Sequence, residues 1–406
     1  MPRLLVDVGP LRHHRDFRLL VAGQLVSLFG SNLTVVAVPY QVYRETHSSL
    51  LVGVASLIQL PALIAGSLWG GAFGDRYDRR HLFVLSSVVL GLLSGALALN
   101  ASPAHSHFAA LLVLAALAAG AGGFAGPIRT ATIPLLVGGD ELVAAYSINQ
   151  VIVNVATILG TAIAGVLLAA VGIASCYWID AGTFAVLALA TSFMAPIPPN
   201  ATRDGVAVLR AIRDGFRYVR ANPTAQAVYL IDLNAMVFGL PRALFPAVAL
   251  TVYHGGPRVL GLLYAAPGVG ALAMAVATGW IARVHRRGRL VVLVVALWGG
   301  AMAVFGAVHV IWIGLGCLAV AGAADVISTV LRNTILQNAI TDEYRSRISS
   351  IQLAVVTGGP RLGDLESGAV ASLVSTEFSI VSGGLACVIG AWLLVRWRPA
   401  FWRDAA

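Results

Sequence analysis

Long apolar stretches recur along the whole chain, separated by short segments that hold most of its charged residues. A helix needs about 20 mostly apolar residues to cross a bilayer. On that rule twelve spans are expected, at approximately 17–43, 51–73, 82–101, 107–133, 144–170, 176–195, 225–252, 259–282, 290–308, 311–338, 348–373 and 379–396. We therefore predict an all-α membrane protein with twelve transmembrane helices.

The composition excludes an ordinary soluble domain. Hydrophobic residues make up 58% of the chain and charged residues 11%, whereas soluble domains are roughly one-quarter charged. The net charge of +9 does not indicate nucleic acid as a partner, because the basic residues are scattered through loops and form no basic helix face with interleaved aromatics. The three cysteines have neither pairing nor metal-ligand spacing, so no metal site is expected.

The distribution of arginine predicts the orientation. With both termini on the cytoplasmic side, the outer loops keep only Arg44 and Arg258, and the inner segments collect most of the others. Cytoplasmic loops carry an excess of positive residues. We therefore expect a multi-pass protein of the inner or plasma membrane with both termini cytoplasmic.

A long polar stretch, Pro196 to Pro223, divides the spans six and six. It predicts an N-terminal six-helix bundle at 1–195, a cytoplasmic linker at 196–224, and a C-terminal six-helix bundle with a short tail at 225–406. Arginines at helical spacing in the linker, Arg210, Arg213, Arg217 and Arg220, suit an amphipathic helix on an anionic leaflet. A solvated tether is the alternative.

One polar interruption between the second and third spans has a distinctive spacing, Gly71-x-x-x-Asp75-Arg76-x-x-Arg79-Arg80. Charges this dense cannot lie in hydrocarbon, so it predicts a tight cytoplasmic loop, with Gly71 letting the helices approach. A related spacing follows the eighth span, Gly279-x-x-x-Arg283-x-x-Arg286-Arg287. Four-spaced glycines at Gly66, Gly70 and Gly74 favour close helix packing. Such internal duplication is common in secondary transporters, whose substrate site lies between the repeats.

The interruption at 71–80 resembles the loop signature of the major facilitator superfamily. Further segments resemble its enterobactin-exporter and drug-efflux subfamily, at residues 36–39, 46–48, 261–266, 334–337, 347–348 and 363–364. The resemblance implies two pseudo-symmetric six-helix bundles and alternating access. It also implies export of a siderophore or a lipophilic drug, driven by proton entry with no cofactor. We expect a monomer in the lipid bilayer with a small-molecule substrate.

By this resemblance, residues 71–80 form a cytoplasmic gate. Asp75 would meet the end of a helix in the opposite half, and Arg76, Arg79 and Arg80 would complete a charge network. Simple anchoring of the loop by positive residues is the alternative. Proton antiport rests on the resemblance alone, because no arginine lies in residues 111–121 of the fourth span and the fifth span has Gly160-Thr161 where a Gly-Pro pair is expected.

Ionisable residues inside the spans cost several kcal/mol and are functional candidates by default. The candidates for substrate binding or proton coupling are Asp232, Arg242, Asp325, Arg332, Arg361, Asp364 and Glu366. Two others have no assigned role: Arg129, expected at the cytoplasmic surface, and Asp180, expected near the outer boundary with Trp178 as an interfacial anchor.

The seventh span holds two prolines, Pro241 and Pro246, together with Asp232 and Arg242. Proline removes a backbone hydrogen bond, which predicts a broken helix beside a cavity. We interpret Asp232 as a protonatable coupling carboxylate and Arg242 as a contact for anionic or phenolic oxygens of the substrate. Alternatively, both are structural partners of other helices.

The tenth and eleventh spans carry the remaining candidates. Asp325 and Arg332 are seven residues apart, roughly 10 Å along a helix, so direct pairing is not expected and each needs a partner, which the eleventh span could provide. There Arg361 and Asp364 can pair locally, and Glu366 points away from Asp364. The run at 358–361 is expected to bend or unwind the helix. Interhelical bracing by these charges is the alternative.

The patterns favour a secondary transporter, and the resemblance implies that it exports an amphipathic small molecule. The competing functions are multidrug efflux of macrolide type, uptake of a nutrient, and a membrane scaffold without transport. An enzyme is not expected, because the sequence has no Walker loop, metal cluster or nucleophile elbow.

Overall fold

The structure is a computed structural model that describes residues 7–102, 106–199, 216–339 and 345–403. Within those ranges the regular elements are helices, and no strand occurs. The principal helices are α1 (Gly9–His13), α2 (Arg15–Thr46), α3 (Ser49–Gly74), α4 (Arg79–Asn100), α5 (Phe108–Leu136), α6 (Leu142–Ser192), α7 (Pro223–Phe238), α8 (Gly256–Val276), α9 (Arg287–Ala307), α10 (Ile311–Ala339), α11 (Arg345–Leu373), α12 (Thr376–Trp397) and α13 (Pro399–Arg403).

The helices confirm the predicted fold class. In the described part of the chain, ten helical segments are long and apolar enough to cross a membrane. One of them, Gly139–Ser192, contains both the fifth and the sixth predicted spans. Its helix α6 is interrupted at Gly172, whose backbone has φ 81° and ψ 175°. The eleventh predicted span corresponds to α11, which is not among the ten and carries three charged residues in its second half.

The chain forms two compact units. Unit 1 comprises Met1–Glu45 and Ile58–Gly205, and unit 2 comprises Thr46–Leu57 and Val206–Ala406. Helix α3 is therefore shared, since its first residues belong to unit 2 and the rest to unit 1. Most of the predicted linker lies outside the described residues, so its amphipathic helix stays a prediction, although residues 216–221 are helical.

Glycines bring α3 and α5 together in unit 1. A Cβ atom placed on Gly66 would overlap the carbonyl oxygen of Gly120, and one on Gly70 would overlap that of Phe124. The prediction of close packing at these glycines is confirmed. It was wrong for Gly71, where a Cβ would meet no atom of the described residues within 4 Å. The helices approach one turn earlier than the loop motif indicated.

Unit 2 uses glycine in the same way around α7. A Cβ on Gly363 of α11 would lie 2.5 Å from the carbonyl oxygen of Met236, and one on Gly383 of α12 would lie 2.7 Å from that of Phe238. Both carbonyls belong to the last turn of α7. Small residues thus hold the end of α7 against two neighbouring helices, at the point where the seventh span changes conformation.

Candidate functional site

The seventh span is broken, as predicted. After α7 ends at Phe238, a 3₁₀ turn covers Arg242–Leu244, a short α-helical turn covers Phe245–Ala247, and a π-helical turn covers Val248–Val252. Pro241 lies at the N-terminal cap of the 3₁₀ turn. Proline has no N–H to donate, which favours a break at this position. Pro39, Pro61 and Pro360 nevertheless lie inside continuous helices of this chain, so the break also depends on the partners that the released backbone groups find.

Side chains from other helices satisfy the backbone groups that the break releases. The indole nitrogen of Trp298 on α9 donates to the carbonyl oxygen of Gly239 at 2.7 Å, and the amide of Ala243 donates to Oδ1 of Asp364 at 3.0 Å. Buried backbone groups need such partners in a region without water. Asp364 therefore caps the start of the 3₁₀ turn.

Asp364 receives a second hydrogen bond, from Ser56 Oγ at 2.6 Å to Oδ2. The predicted pairing of Arg361 with Asp364 was wrong: among the described residues they form no ion pair within 4.0 Å, and Arg361 donates instead to the carbonyl oxygen of Thr357 at 3.0 Å. The carboxylate turns towards Ser56 and the broken span rather than along its own helix. Glu366 is half-buried, and the described residues give it no hydrogen bond.

The sequence predicted that α11 bends or unwinds at 358–361, and the unwinding does not occur. Residues 358–361 lie within the continuous helix Arg345–Leu373, with Pro360 in its interior. The glycines of this segment serve packing instead, since a Cβ on Gly359 would lie 3.0 Å from Cβ of Met236 on α7.

Asp232 of α7 and Arg332 of α10 form a buried ion pair, with 6% and 5% of their surfaces exposed. The guanidinium also donates to Thr329 Oγ1 at 3.1 Å, and Thr329 Oγ1 donates to Asp325 Oδ1 at 3.3 Å. Arg332 itself reaches within 4.0 Å of Asp325. A chain of polar contacts therefore runs from buried Asp232 to Asp325, whose side chain is 45% exposed.

Two predictions about the contacts of Arg332 were wrong. The expectation that Asp325 and Arg332 do not pair considered only the rise of the helix between them. The long Arg332 side chain extends back along its own helix, and its guanidinium comes within 4.0 Å of the Asp325 carboxylate. The partner of Arg332 was expected on the eleventh span, and it is Asp232 of the seventh. Helical periodicity shows that Asp325 and Arg332 lie on the same face of α10. It does not show which other helix packs against that face.

Arg242 is the exposed cation of the site. It forms no ion pair within 4.0 Å among the described residues, yet it interacts electrostatically with Asp325, Asp364 and Arg361. We call Asp232, Arg242, Asp325, Arg332, Arg361 and Asp364 the unit-2 polar cluster. Its three carboxylates and three guanidinium groups can balance in charge. Adding or removing one proton would therefore leave an uncompensated charge.

Next to Arg242 lie two aromatic rings. The hydroxyl of Tyr264 donates to the Arg242 carbonyl oxygen at 3.4 Å, and the ring of Tyr264 packs edge-on against Phe245 with centroids 5.1 Å apart. Phe245 is buried, so Tyr264 is the ring that a ligand could reach. An exposed guanidinium beside such a ring can accommodate a ligand that is partly aromatic and partly anionic or phenolic.

The loop at 71–80 is built by hydrogen bonds within unit 1. Arg79, 4% exposed, donates to the carbonyl oxygens of Gly74 and Ala131, each at 3.1 Å, and lies 4.0 Å from Asp75. Arg80 donates to the carbonyl oxygen of Ser192 at 2.6 Å. These arginines thus bind the carbonyls of the last residues of α3 and α6, which have no intrahelical donor, and one carbonyl five residues before the end of α5.

Asp78 is a residue of this loop that the motif spacing did not single out. Its carboxylate accepts the amide of Arg80 at 2.8 Å and that of Ile197 at 3.1 Å, so it caps α4 and fixes the segment after α6. An aspartate before an apolar helix is a recognised N-cap pattern and could have identified it. Asp75 and Arg76 are exposed, and their part in a gate stays a prediction.

Asp180 of α6 is a second residue to which the sequence pattern assigned no role. It is 2% exposed, and its Oδ2 accepts hydrogen bonds from Thr34 Oγ1 at 2.7 Å and Ser94 Oγ at 2.8 Å. Trp178, two residues earlier, is 52% exposed. Residues two apart on a helix face nearly opposite directions, so an exposed tryptophan there was a signal that Asp180 points inward.

Many apolar helices, a proline-broken span and buried charges that face one another define a multi-pass membrane transporter. The sequence model of the Major Facilitator Superfamily matches residues 20–364. The chain belongs to that superfamily.

Two relatives that align over nearly the full length carry the same name. The chain is 29% identical to the enterobactin exporter EntS of Citrobacter koseri over 392 residues, which are 96% of this chain and 94% of that protein. It is 29% identical to the EntS protein of Salmonella typhi over 395 residues, with the same coverage. These proteins are exporters of enterobactin by name.

Solved structures show the same fold at low sequence identity. The nucleoside transporter NupG aligns with a TM-score of 0.75 and 13% identity, covering 95% of this chain and 98% of its own. A bacterial homologue of the human lysosomal transporter Spinster, in an inward-facing and unoccupied conformation, aligns with a TM-score of 0.71 and 14% identity, covering 98% and 97%.

Proposed function

We propose that this protein is a secondary active exporter of an amphipathic small molecule, working by alternating access and proton antiport. The observation that carries the proposal is the exposed guanidinium of Arg242 at the break of the seventh span, which forms no ion pair within 4.0 Å in the part of the chain that the structure describes. A cation held open at membrane depth is costly unless it serves a ligand or an aqueous path. The full-length similarity to enterobactin exporters supports the outward direction.

The proposed substrate is a siderophore of catecholate type or a lipophilic drug. Catecholate oxygens would accept hydrogen bonds from the Arg242 guanidinium, which carries five N–H donors. An aromatic ring of the ligand would pack against Tyr264, which lies next to Arg242 and is held in place by the buried ring of Phe245. A purely apolar drug would use the aromatic surface and gain little from the cation. The dependence of transport on Arg242 therefore distinguishes the two substrate types.

We propose that the chain of polar contacts from Asp325 to Asp232 couples proton binding to substrate transport. Protonation of Asp232 would remove the charge that holds Arg332, and the guanidinium would then be free to change partner. Asp325, the more exposed member, would exchange protons with water. The energy source is the proton gradient, and no cofactor is required. Asp364 contributes less to coupling, since its carboxylate is occupied by the Ala243 amide and Ser56.

The protein is proposed to act as a monomer in the inner or plasma membrane with both termini cytoplasmic, as the arginine distribution predicts. The competing functions are macrolide-type efflux, nutrient uptake and a scaffold role without transport. In a scaffold the internal charges would only brace helices. Substrate flux would then be absent in wild type and in Arg242→Ala alike.

The test is transport in proteoliposomes of the purified protein under an imposed pH gradient. The panel contains a catecholate siderophore, a macrolide and a fluorescent lipophilic dye. We expect gradient-dependent flux of the catecholate at least tenfold lower in Arg242→Ala than in wild type. A matched control is Arg258→Ala, an arginine of the same unit with no described hydrogen bond.

Equal catecholate flux in Arg242→Ala and wild type would overturn the assignment of Arg242. No flux of any panel member, in vesicles where a control exporter works, would contradict export itself. Concentrative accumulation of a panel member together with protons would identify an uptake symporter instead.

A further inference from the structure

A buried carboxyl group in unit 1 lies outside the unit-2 polar cluster. Asp180 on α6 is 2% exposed, and its Oδ2 accepts hydrogen bonds from Thr34 on α2 and Ser94 on α4. Both donors are neutral hydroxyl groups. Three helices therefore converge on a single carboxyl group without supplying a positive charge to it.

The second oxygen of Asp180 has no hydrogen-bond partner in the described part of the chain. It is covered by the backbone of α2, since a Cβ atom on Gly30 would lie 2.8 Å from Oδ1 and overlap Thr183 Oγ1. Thr183 Oγ1 itself donates to the Asp180 carbonyl oxygen at 2.7 Å. Thr183 is thus a third neutral hydroxyl group beside this carboxyl group, and it too brings no positive charge.

No ion pair compensates an ionised Asp180 among the described residues. On α6 its titratable neighbours are Cys176 and Tyr177. The charged residues of α2 lie at its ends, Arg15, Asp16 and Arg18 at one and Arg44 and Glu45 at the other, with Tyr40 and Tyr43 between. Those of α4 are Arg79, Arg80 and His81 at its start, where Arg79 and Arg80 bind helix carbonyls.

The residues that lead away from Asp180 are also neutral or acidic. The Tyr177 hydroxyl donates to Gln41 Oε1 at 2.9 Å, and Gln41 Nε2 donates to Glu45 Oε1 at 2.8 Å. An isolated carboxylate removed from water favours its protonated form. Two hydroxyl donors on one oxygen stabilise the ionised form in part, which makes both forms accessible.

We propose that Asp180 is a proton-binding site of unit 1. A proton adds to Oδ1, converting the carboxylate to a carboxylic acid, while Oδ2 keeps its bonds to Thr34 and Ser94. Its contribution to transport rests on the proposed proton-coupled export, but proton binding can be measured without any substrate.

Infrared difference spectroscopy of the full-length protein across a pH series tests proton binding. Wild type should show the carbonyl stretch of a protonated carboxylic acid that disappears as the pH rises. The band should be absent in Asp180→Asn and retained in Asp140→Asn, which removes an exposed loop carboxylate of the same unit. In Thr34→Val, which removes one donor to the ionised form, the band should persist to higher pH.

A spectrum of Asp180→Asn identical to wild type would overturn the proposal. So would loss of the band on adding sodium at constant pH, because the site would then bind a metal cation. If Asp180→Asn fails to fold, the decision passes to Thr34→Val, whose unshifted band would also overturn the proposal.

Transport assays distinguish the proposed proton site at Asp180 from the proposed export function. Asp180→Asn should lose at least 90% of pH-gradient-driven efflux while keeping substrate exchange at equal pH. Gradient-driven efflux at the wild-type level would overturn the role of Asp180 in coupling. A titrating band in a protein that transports no panel substrate would retain the proton site and refute the proposed export.

Discussion

At the scale of single residues, the pair Asp232–Arg332 joins α7 to α10 with both side chains almost fully buried. Removing one member of a buried pair leaves the other as an uncompensated charge, which typically costs about 3–5 kcal/mol. Replacing both by apolar residues of similar volume is often close to neutral. The pair is therefore weak evidence for added stability, although each member depends on the presence of the other.

Asp232→Asn should lower thermal stability markedly, and Arg332→Met should do the same. The double variant should recover most of the loss, because no buried charge remains in it. Unfolding in detergent, followed by tryptophan fluorescence, measures this, with Asp140→Asn as the control. Additive losses in the double variant would show that the two residues do not act as a pair.

Arg79 satisfies two backbone carbonyls while almost fully buried. Leaving buried acceptors without a donor costs about 1–3 kcal/mol. Arg79→Ala should therefore destabilise the protein by that order, whereas Arg76→Ala, at an exposed position, should stay within about 0.5 kcal/mol of wild type. Equal effects of the two changes would refute a structural role for Arg79.

At the scale of elements, the break in the seventh span depends on partners from other helices. Asp364 accepts the amide of Ala243, a role that an amide oxygen can also fill. Asp364→Asn should keep most of the flux and stability, and Asp364→Ala should lose about 1–3 kcal/mol and most of the flux. If Asp364→Asn abolished gradient-driven transport at unchanged stability, Asp364 would be a coupling residue rather than a cap.

Helix contacts through glycine give an independent prediction. Gly66→Val would place a side chain against the carbonyl of Gly120, and overpacking of this kind costs typically 1–3 kcal/mol, occasionally more. Gly71→Ala meets open space in the described part of the chain and should leave stability unchanged. The melting temperatures of the two variants test this prediction. A large drop in the melting temperature of Gly71→Ala would contradict the open space around Gly71.

Sequence predicts some of these elements well and others poorly, for physical reasons. The break in the seventh span was suggested by Pro241, which lacks an N–H, but proline alone does not decide it, since Pro360 lies inside the continuous helix α11. The partner of Arg332 was not, because helical spacing defines a face and leaves the facing helix undetermined. Asp180 was missed because its partners, Thr34 and Ser94, are distant in sequence and hydroxyl groups are common in apolar spans.

At the scale of the whole molecule, the repeated apolar spans and the loop at 71–80 sufficed to predict an all-helical transporter of the major facilitator superfamily, and the family match confirms it. The substrate cannot be predicted at this scale, since solved structures that share the fold include nucleoside and peptide transporters. We propose that substrate choice depends on a few side chains, such as Arg242 and Tyr264, that the fold alone does not specify.

The most direct test of proton-driven export is reversal of the pH gradient in proteoliposomes, with the catecholate and the internal pH followed in the same vesicles. The proposed mechanism predicts that the substrate moves against the direction of proton flow, and that reversing the gradient reverses both fluxes. Substrate movement that ignores the gradient, or that follows the protons in the same direction, would contradict antiport.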